Sequence, residues 1–231
     1  AEFARLPAAI LVPLPATLTM REAMAIGTAG FTAAFALRRM LENHQTPDMG
    51  PIAITGPTGG VGSVAIDLFK RAGFTVHAIT GKAEGSAAYL KALGADEVIS
   101  RQGLTIGTRP LESAIWGGAV DNLGGEMLGW LLRTTRSYGN VACIGLAASH
   151  ELPATVMPFI LRGVSLLGLH SVECPRPWRE AIWDKLSGEW KPQHLERIAA
   201  HEIVLDDLPA ACEALIAGTV QGRMLVRVAG G

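Results

Sequence analysis

A glycine-rich turn is the feature of this sequence with the clearest chemical meaning. The stretch IAITGPTGGVGSVAIDLFKRAGFTVHAITGK runs from Ile52 to Lys82, and its glycines lie between a strand-like run and a helix-like run. A phosphate approaches the main chain only where no Cβ blocks it, and the N–H groups and dipole of a helix N-terminus favour an anion. We predict that the turn binds a dinucleotide's pyrophosphate, in preference to a tight turn without a ligand. The residues concerned are Gly56, Gly59, Gly60 and Gly62, with the hydroxyls of Thr55 and Thr58.

The end of the second apolar run indicates which dinucleotide to expect. Units that bind NAD place Asp or Glu there, where the carboxylate holds the ribose 2′-hydroxyl. Here the run ends in Thr80, Gly81 and Lys82. A hydroxyl donor, a residue without a side chain and a positive charge suit a 2′-phosphate, so we predict NADP(H). The alternatives are a solvated loop lysine, or NAD if the turn extends as far as the acid Glu84.

Two other glycine-rich motifs are excluded. A P-loop requires Gly-Lys-Ser/Thr where Val61 and Gly62 stand. The letters TGPTGGVG also fit a short-chain dehydrogenase, but that family needs a Tyr-x-x-x-Lys pair for proton transfer. Neither of the two tyrosines, Tyr89 and Tyr138, has a lysine four residues later.

Alternating strand-like and helix-like segments surround the turn. This pattern predicts an α/β fold, a Rossmann-type doubly wound parallel sheet with helices on both faces. A long first helix is expected after Thr19, with Glu22 at the capping-box position and small residues Gly27, Ala29 and Gly30 that indicate close approach by another helix or a ligand. We predict strands at 51–55, 74–80, 96–100, 119–123, 140–146, 164–172, 202–205 and 224–228, and helices at 63–72, 84–93, 127–133, 157–162, 178–185 and 208–217.

Composition excludes several functional classes. The chain has 231 residues, 49% hydrophobic and 18% charged, with 20 basic and 21 acidic side chains. This balance argues against a nucleic-acid partner and against an anionic membrane surface. No apolar run reaches the roughly 18 residues of a membrane span, and no signal peptide is visible. Three widely spaced cysteines argue against disulfides and a cysteine zinc site, so we expect a cytoplasmic protein.

Several motifs, in order, resemble a known family. They are GTAGFTA, TGPTGGVGS, TGK, YLKALGA, RPLE, TVMPFILRGVSLLG and the terminal QGRMLVRV. Together they resemble the zinc-free medium-chain dehydrogenase/reductases over nearly the whole chain, and most closely the branch of NADPH-dependent acryloyl-coenzyme A reductases, also labelled quinone-oxidoreductase-like. The resemblance implies that NADPH gives a hydride to the β-carbon of an α,β-unsaturated acyl thioester, and that the α-carbon is then protonated.

The resemblance also implies a set of residues that contact NADP(H). No catalytic residue is assigned. Lys82 stands where the family usually has arginine; lysine keeps the positive charge but lacks arginine's bidentate fork for phosphate, so a weaker preference for NADPH is expected. Thr28 is a candidate for facing the nicotinamide, or else an ordinary helix-packing threonine. By position in the family the cofactor residues are Thr58, Gly59, Gly60 and Val61; Thr80, Gly81 and Lys82; Leu146; and Ser171.

One departure from the family affects domain organisation. Its members begin with a GroES-like β domain, of which this chain would retain only remnants. We expect residues 1–18 to be the link from that domain, 19–200 the NADP(H)-binding domain, and 201–231 a segment that returns to the catalytic domain. The chain would then be a fragment or a truncated homologue.

The resemblance bears on metal and partners as well. Zinc-using relatives carry a cysteine ligand where Ile26, Gly27 and Thr28 stand, so we predict no metal. A homodimer is expected through the 164–172 strand, as in related dimers, although a buried parallel strand would have the same pattern. The alternative functions are a quinone or enone reductase of the same architecture and a catalytically silent NADP(H)-binding module.

Three further polar residues have two interpretations each. Asp121 and Asn122 are expected at a carboxyl end of the sheet, where loop capping is favoured over catalysis. For Arg223, an ion pair with a carboxylate is favoured slightly over a contact with a phosphate.

Overall fold

Six parallel strands form the central sheet. The structure is a computed structural model and describes residues 3–228. The strands lie in the order β3-β2-β1-β4-β5-β6, the doubly wound order of a dinucleotide-binding fold. The predicted fold class is therefore confirmed. The bounds are β1 Ile52–Thr55, β2 Val76–Thr80, β3 Glu97–Ser100, β4 Trp116–Asp121, β5 Thr135–Cys143 and β6 Ser165–Gly168.

Helices cover both faces of this sheet because successive strand residues point to opposite sides. Ile52 and Ile54 pack with the helices over residues 20–42, 60–71 and 176–186, whereas Ala53 packs with the helix over residues 125–134. The helices are α1 Met20–Glu42, α2 Gly60–Arg71, α3 Ala83–Ala92, α4 Gly125–Thr134, α5 Met157–Arg162, α6 Arg176–Leu186, α7 Leu195–Ile198 and α8 Leu208–Ile216.

A second, two-stranded sheet lies in the C-terminal part of the chain. Strands β7 (His201–Val204) and β8 (Met224–Arg227) pair in parallel, and α8 connects them. The division of the chain at residue 200 stays a prediction, and residues 1–2 and 229–231 of the predicted outer segments lie outside the described residues.

Helix α1 begins as predicted but is not continuous. Thr19 Oγ1 accepts a hydrogen bond from the Glu22 amide at 3.1 Å, and Glu22 Oε2 accepts one from the Thr19 amide at 2.8 Å, which confirms the capping box. Gly27 then interrupts the helix with φ 47° and ψ −156°. Gly30 packs on Ile26 and on Val64 of α2, so its small size does serve helix packing.

Three predicted strands have the wrong bounds. Strand β4 starts at Trp116 instead of 119, because Gly117 and Gly118 are strand residues without the side chains that would mark them. Strand β5 runs from Thr135 to Cys143 instead of 140–146. Strand β6 covers only 165–168 of the predicted 164–172.

Candidate cofactor site

The glycine turn joins β1 to α2 at the carboxyl edge of the sheet. Gly59 is the N-cap of α2, and the Gly59 carbonyl accepts the first helical hydrogen bond from Ser63 at 2.9 Å. The amides of Gly60, Val61 and Gly62 form the first helical turn, where N–H groups have no intrahelical acceptor. A Cβ on Gly62 would lie 2.6 Å from Pro57 Cα, so only glycine allows the turn to fold this tightly. The turn has the geometry of an anion-binding helix N-terminus.

A groove separates this turn from the end of β2. Its volume is about 250 Å³, and Thr58, Thr80, Gly81 and Lys82 all line it. Four of the predicted cofactor residues therefore meet at one place. Glu84 does not line this groove; it lies on the first turn of α3, beside a neighbouring groove that Gly81 and Lys82 also border.

Lys82 is tied to the C-terminal part of the chain. Its ammonium donates a hydrogen bond to the carbonyl of Gly218, and its amide donates one to Thr80 Oγ1 at 3.1 Å. The lysine is exposed, and these two bonds hold it at the edge of the groove. A ligand that uses the ammonium must share it with Gly218.

Arg101 is a second cation in the same groove, and sequence reasoning missed it. It directly follows β3, and its guanidinium lies 3.3 Å from the position of a Cβ on Gly81. Within residues 3–228 it has no ion-pair partner and no side-chain hydrogen bond. Because β2 and β3 are parallel neighbours, the residue after β3 lies beside the residue after β2. The pairing of β3 beside β2 would have placed Arg101 in the site, had it been predicted from the sequence.

A separate cavity is lined by two further candidates, Thr28 and Ser171. Its volume is about 460 Å³, and Phe31, Cys174 and Arg179 also line it. Thr28 directly follows the interruption of α1 at Gly27. Its side chain is exposed, so Thr28 is not a buried helix-packing residue.

Arg223 lies between the two halves of the site. Its Nε donates to the Ala25 carbonyl at 3.2 Å, and its Cδ lies 2.8 Å from the position of a Cβ on Gly60. The slightly favoured ion pair is wrong: in the part of the chain that the structure describes, Arg223 has no carboxylate partner. Burial lowers the pKa of this guanidinium from its usual value. An unpaired cation thus lies beside the helix N-terminus that would receive a pyrophosphate.

Leu146 is the predicted cofactor residue that lies after β5. Its Cα lies 3.5 Å from the position of a Cβ on Gly124, at the carboxyl edge, but Leu146 lines neither the groove nor the cavity. It stands on a loop, because the amides of Ile144 and Gly145 bond the Asp121 carbonyl and leave the direction of the strand. Its predicted place on a strand is therefore wrong.

Asp121 and Asn122 support the edge of the sheet beneath the turn. Asp121 accepts hydrogen bonds from Thr55 Oγ1 at 2.7 Å and from the Gly124 amide at 2.7 Å, while Asn122 Nδ2 donates to the Thr55 carbonyl at 2.7 Å. Burial raises the pKa of the Asp121 carboxyl despite these bonds. These contacts match the favoured loop-capping interpretation.

The RPLE and MPFILRG motifs build a brace away from the groove. Glu112 pairs with the buried Arg133 at 2.9 Å, and Arg162 donates to the carbonyls of Arg133 and Thr135 at 2.8 and 3.2 Å. Both motifs therefore hold the loop before β4 against α4 and β5. The two motifs therefore have a structural role in this fold, and they do not line the groove at the end of β2.

The family assignment follows from a profile match. The profile described as zinc-binding dehydrogenase matches residues 60–187, more than half of the chain. The chain belongs to this family. Within residues 3–228, no group of three or more His, Cys, Asp or Glu side chains could hold a metal ion, and the expected lack of a metal stays a prediction.

Three relatives place the chain more closely within the family. The acrylyl-CoA reductase AcuI of Ruegeria pomeroyi is 44% identical over 94% of this chain and 66% of its own length. The yhdH oxidoreductase of Salmonella enterica, crystallised with NADP, is 42% identical with a TM-score of 0.92 over 97% of this chain and 68% of its own. The Bacillus subtilis protein yhfP, crystallised with NAD, is 45% identical with a TM-score of 0.93 over the same shares of the chains. The chain thus spans about two thirds of their length.

Proposed function

We propose that this chain is the NADP(H)-binding portion of a reductase that reduces the C=C bond of an α,β-unsaturated acyl thioester such as acryloyl-CoA. The observation that supports the cofactor is the groove at the end of β2. Lys82 and Arg101 border it, the glycine turn opens onto it, and its lining contains no carboxylate. Two cations and a hydroxyl suit a 2′-phosphate, and a carboxylate at this place would repel it.

The residues present fit the dinucleotide along its length. Lys82 and Arg101 would hold the 2′-phosphate, the amides of the first turn of α2 the pyrophosphate, and Arg223 would add positive charge beside it. The cavity that Thr28 and Ser171 share would receive the nicotinamide end. When bound, NADPH supplies the hydride. The role of the chain is to orient its ring and to exclude water from the cavity.

Relatives support both the cofactor and the substrate class. AcuI is named an acrylyl-CoA reductase, and the Salmonella protein was crystallised with NADP. Both are more than 40% identical to this chain over more than nine tenths of it. A Bacillus subtilis relative that is 46% identical over 98% of this chain is named a putative quinone oxidoreductase, so a quinone or an enone remains the alternative substrate of the same architecture.

Measuring NADPH turnover with different substrates distinguishes a thioester reductase, a quinone reductase and a silent NADP(H)-binding module. The consumption of NADPH is followed with acryloyl-CoA and with a soluble quinone, for this chain and for a chimaera in which the N-terminal portion of AcuI precedes it. We expect the chimaera to prefer acryloyl-CoA. A preference for the quinone would support the alternative reductase, and cofactor binding without turnover in either protein would support a silent NADP(H)-binding module.

We propose a homodimer that forms at the edge of the sheet. Among residues 3–228, strand β6 pairs with β5 and with no other strand, and Ile160, Leu161 and Val172 nearby are at least 60% exposed. An edge strand with exposed apolar neighbours is a surface that proteins usually cover. Light scattering tests this proposal: we expect twice the mass of the chain, and an Ile160→Asp variant should be monomeric.

The cytoplasm is the proposed location. Cys143, Cys174 and Cys212 are all free, which suits a reducing compartment. Within the described residues, no helix has the length and apolar character needed to cross a membrane. Fractionation of cells that express the tagged protein tests the location.

A further inference from the structure

We propose that Tyr89 is a positioning residue of the cofactor site: through Ser63 it holds the Pro57 carbonyl inside the protein, and so it turns the Thr58 amide towards the pyrophosphate. This inference rests on the proposed function, because it concerns the turn that would bind NADP(H). Tyr89 lies on α3 and lines neither the groove nor the nicotinamide cavity.

A chain of two hydrogen bonds connects α3 to the turn. The Tyr89 hydroxyl lies 2.9 Å from Ser63 Oγ, and Ser63 Oγ lies 3.1 Å from the Pro57 carbonyl oxygen. A carbonyl only accepts, so the single hydroxyl proton of Ser63 points at Pro57, and Tyr89 must donate to Ser63. Burial raises the pKa of the Tyr89 hydroxyl, which keeps it protonated as a donor.

Because the Pro57 carbonyl and the Thr58 amide belong to the same peptide unit, fixing the carbonyl also fixes the direction of the Thr58 N–H. The peptide between Pro57 and Thr58 is trans and planar, so its C=O and N–H point in opposite directions. Because the carbonyl points at the fully buried Ser63, the Thr58 N–H points away from the interior. Thr58 lines the groove, and within residues 3–228 its amide has no main-chain acceptor.

The other side of Thr58 is restrained as well. Its carbonyl accepts a hydrogen bond from the Gly222 amide at 2.8 Å. The position of a Cβ on Gly222 lies 3.0 Å from the Tyr89 hydroxyl oxygen, so Tyr89 also packs beside this second restraint. Both peptide units of Thr58 are therefore held from outside the turn, which leaves the amide as a preorganised donor.

Three ligands are used to test whether Tyr89 positions the Thr58 amide or only stabilises the fold in general. NADPH and NADH share the pyrophosphate, whereas adenosine 2′-monophosphate has the 2′-phosphate but no pyrophosphate. The variants are Tyr89→Phe, Ser63→Ala and the double variant. Tyr138→Phe is the matched control, because Tyr138 is the other tyrosine and is 74% exposed.

Calorimetry should show equal losses for the two dinucleotides. We expect Tyr89→Phe to raise the Kd of NADPH and of NADH by the same factor, about three- to tenfold for one weakened donor, with adenosine 2′-monophosphate unchanged. Because the two bonds act in series, the double variant should bind no more weakly than Ser63→Ala alone. Tyr138→Phe should bind all three ligands as the unmodified chain does.

Two results would overturn the inference: unchanged dinucleotide affinities in Tyr89→Phe, or an equal loss of affinity for adenosine 2′-monophosphate. A failure of the unmodified chain to bind either dinucleotide would overturn the proposed function along with it. The two failures can be told apart. The failure of this inference is measured on the variants while the unmodified chain still binds both dinucleotides, whereas the failure of the proposed function is measured on the unmodified chain itself.

Discussion

At the scale of single residues, we propose that recognition of the 2′-phosphate is divided between two strands. Lys82 follows β2 and Arg101 follows β3, and both line one groove with Thr80. The lysine ammonium already has an acceptor in the Gly218 carbonyl, whereas the Arg101 guanidinium has neither an ion-pair nor a hydrogen-bond partner among residues 3–228. Arginine also offers a planar fork that matches phosphate oxygens. In this proposal, Arg101 would supply the fork that lysine lacks at position 82.

Arg101→Ala should therefore weaken NADPH binding more than NADH binding. Loss of a charge-assisted hydrogen bond raises the Kd of NADPH by about tenfold or more, while the Kd of NADH should change less than twofold. Arg101→Lys should recover part of the loss. The measurement is fluorescence titration of both cofactors, and equal weakening of the two would show that Arg101 does not contact the 2′-phosphate.

Asp121 connects the site to the stability of the sheet edge. It is fully buried, and it accepts from the Thr55 hydroxyl and the Gly124 amide. Asp121→Ala leaves both donors without a partner, which should lower the free energy of unfolding by about 1–3 kcal/mol. Urea denaturation measures this loss. A variant as stable as the unmodified chain would show that water replaces the carboxylate.

At the scale of elements, α1 is held at its start by a cap and an ion pair. Glu22 completes the capping box and lies 2.7 Å from the Lys191 ammonium. The hydrogen bond from Lys191, with that from the Thr19 amide, lowers the pKa of the Glu22 carboxyl from 4.5 to about 2. A carboxyl whose pKa is lower in the folded state stabilises the fold above its unfolded pKa, and this contribution is lost as the pH falls through the folded pKa.

Glu22→Gln should then have an effect that depends on pH. At neutral pH we expect the free energy of unfolding to fall by about 0.5–1 kcal/mol, the range of a partly exposed pair. The difference between the two proteins should shrink as the pH falls from 4.5 towards about 2. Urea denaturation across this range measures it, and a difference that grows on acidification would contradict the sign of the pKa shift.

The tight packing of Gly62 in the glycine turn leads to a prediction about cofactor affinity. A Cβ on Gly62 would lie 2.6 Å from Pro57 Cα, so Gly62→Ala must open the turn. We expect at least a tenfold loss of affinity for NADPH and NADH alike, because the pyrophosphate donors move. Gly188→Ala is the control, since its Cβ would meet only the Asp184 carbonyl at an ordinary 3.7 Å. Full cofactor affinity in Gly62→Ala would place the pyrophosphate elsewhere.

At the scale of the whole molecule, the sequence pattern was enough for the sheet but not for contacts between distant segments. The alternation of strand-like and helix-like segments predicted a parallel sheet with helices on both faces, and the motifs within residues 55–82 predicted four residues of the groove. Arg101 was missed because it becomes part of the site only through the pairing of β3 with β2. The bonds of Lys82 to Gly218 and of Thr58 to Gly222 join residues more than a hundred positions apart, and no local pattern predicts them.

Those same contacts should make cofactor binding stabilise the chain as a unit. The C-terminal segment between α8 and β8 contacts the groove through Gly218 and the turn through Gly222. A ligand that binds only the folded state adds about 2.7 kcal/mol to the free energy of unfolding at 100 times its Kd. Thermal unfolding with NADPH should thus show one cooperative transition at a raised Tm, and an unshifted Tm would mean that the cofactor does not engage the folded chain.

The central claim is that the groove between the glycine turn and β2 selects a dinucleotide with a 2′-phosphate. Its most direct measurement is the Kd of NADPH and of NADH for the unmodified chain, determined by calorimetry in the same buffer. We predict that NADPH binds at least about tenfold more tightly, the difference expected for one charge-assisted phosphate contact. Equal affinities, or a preference for NADH, would contradict the account.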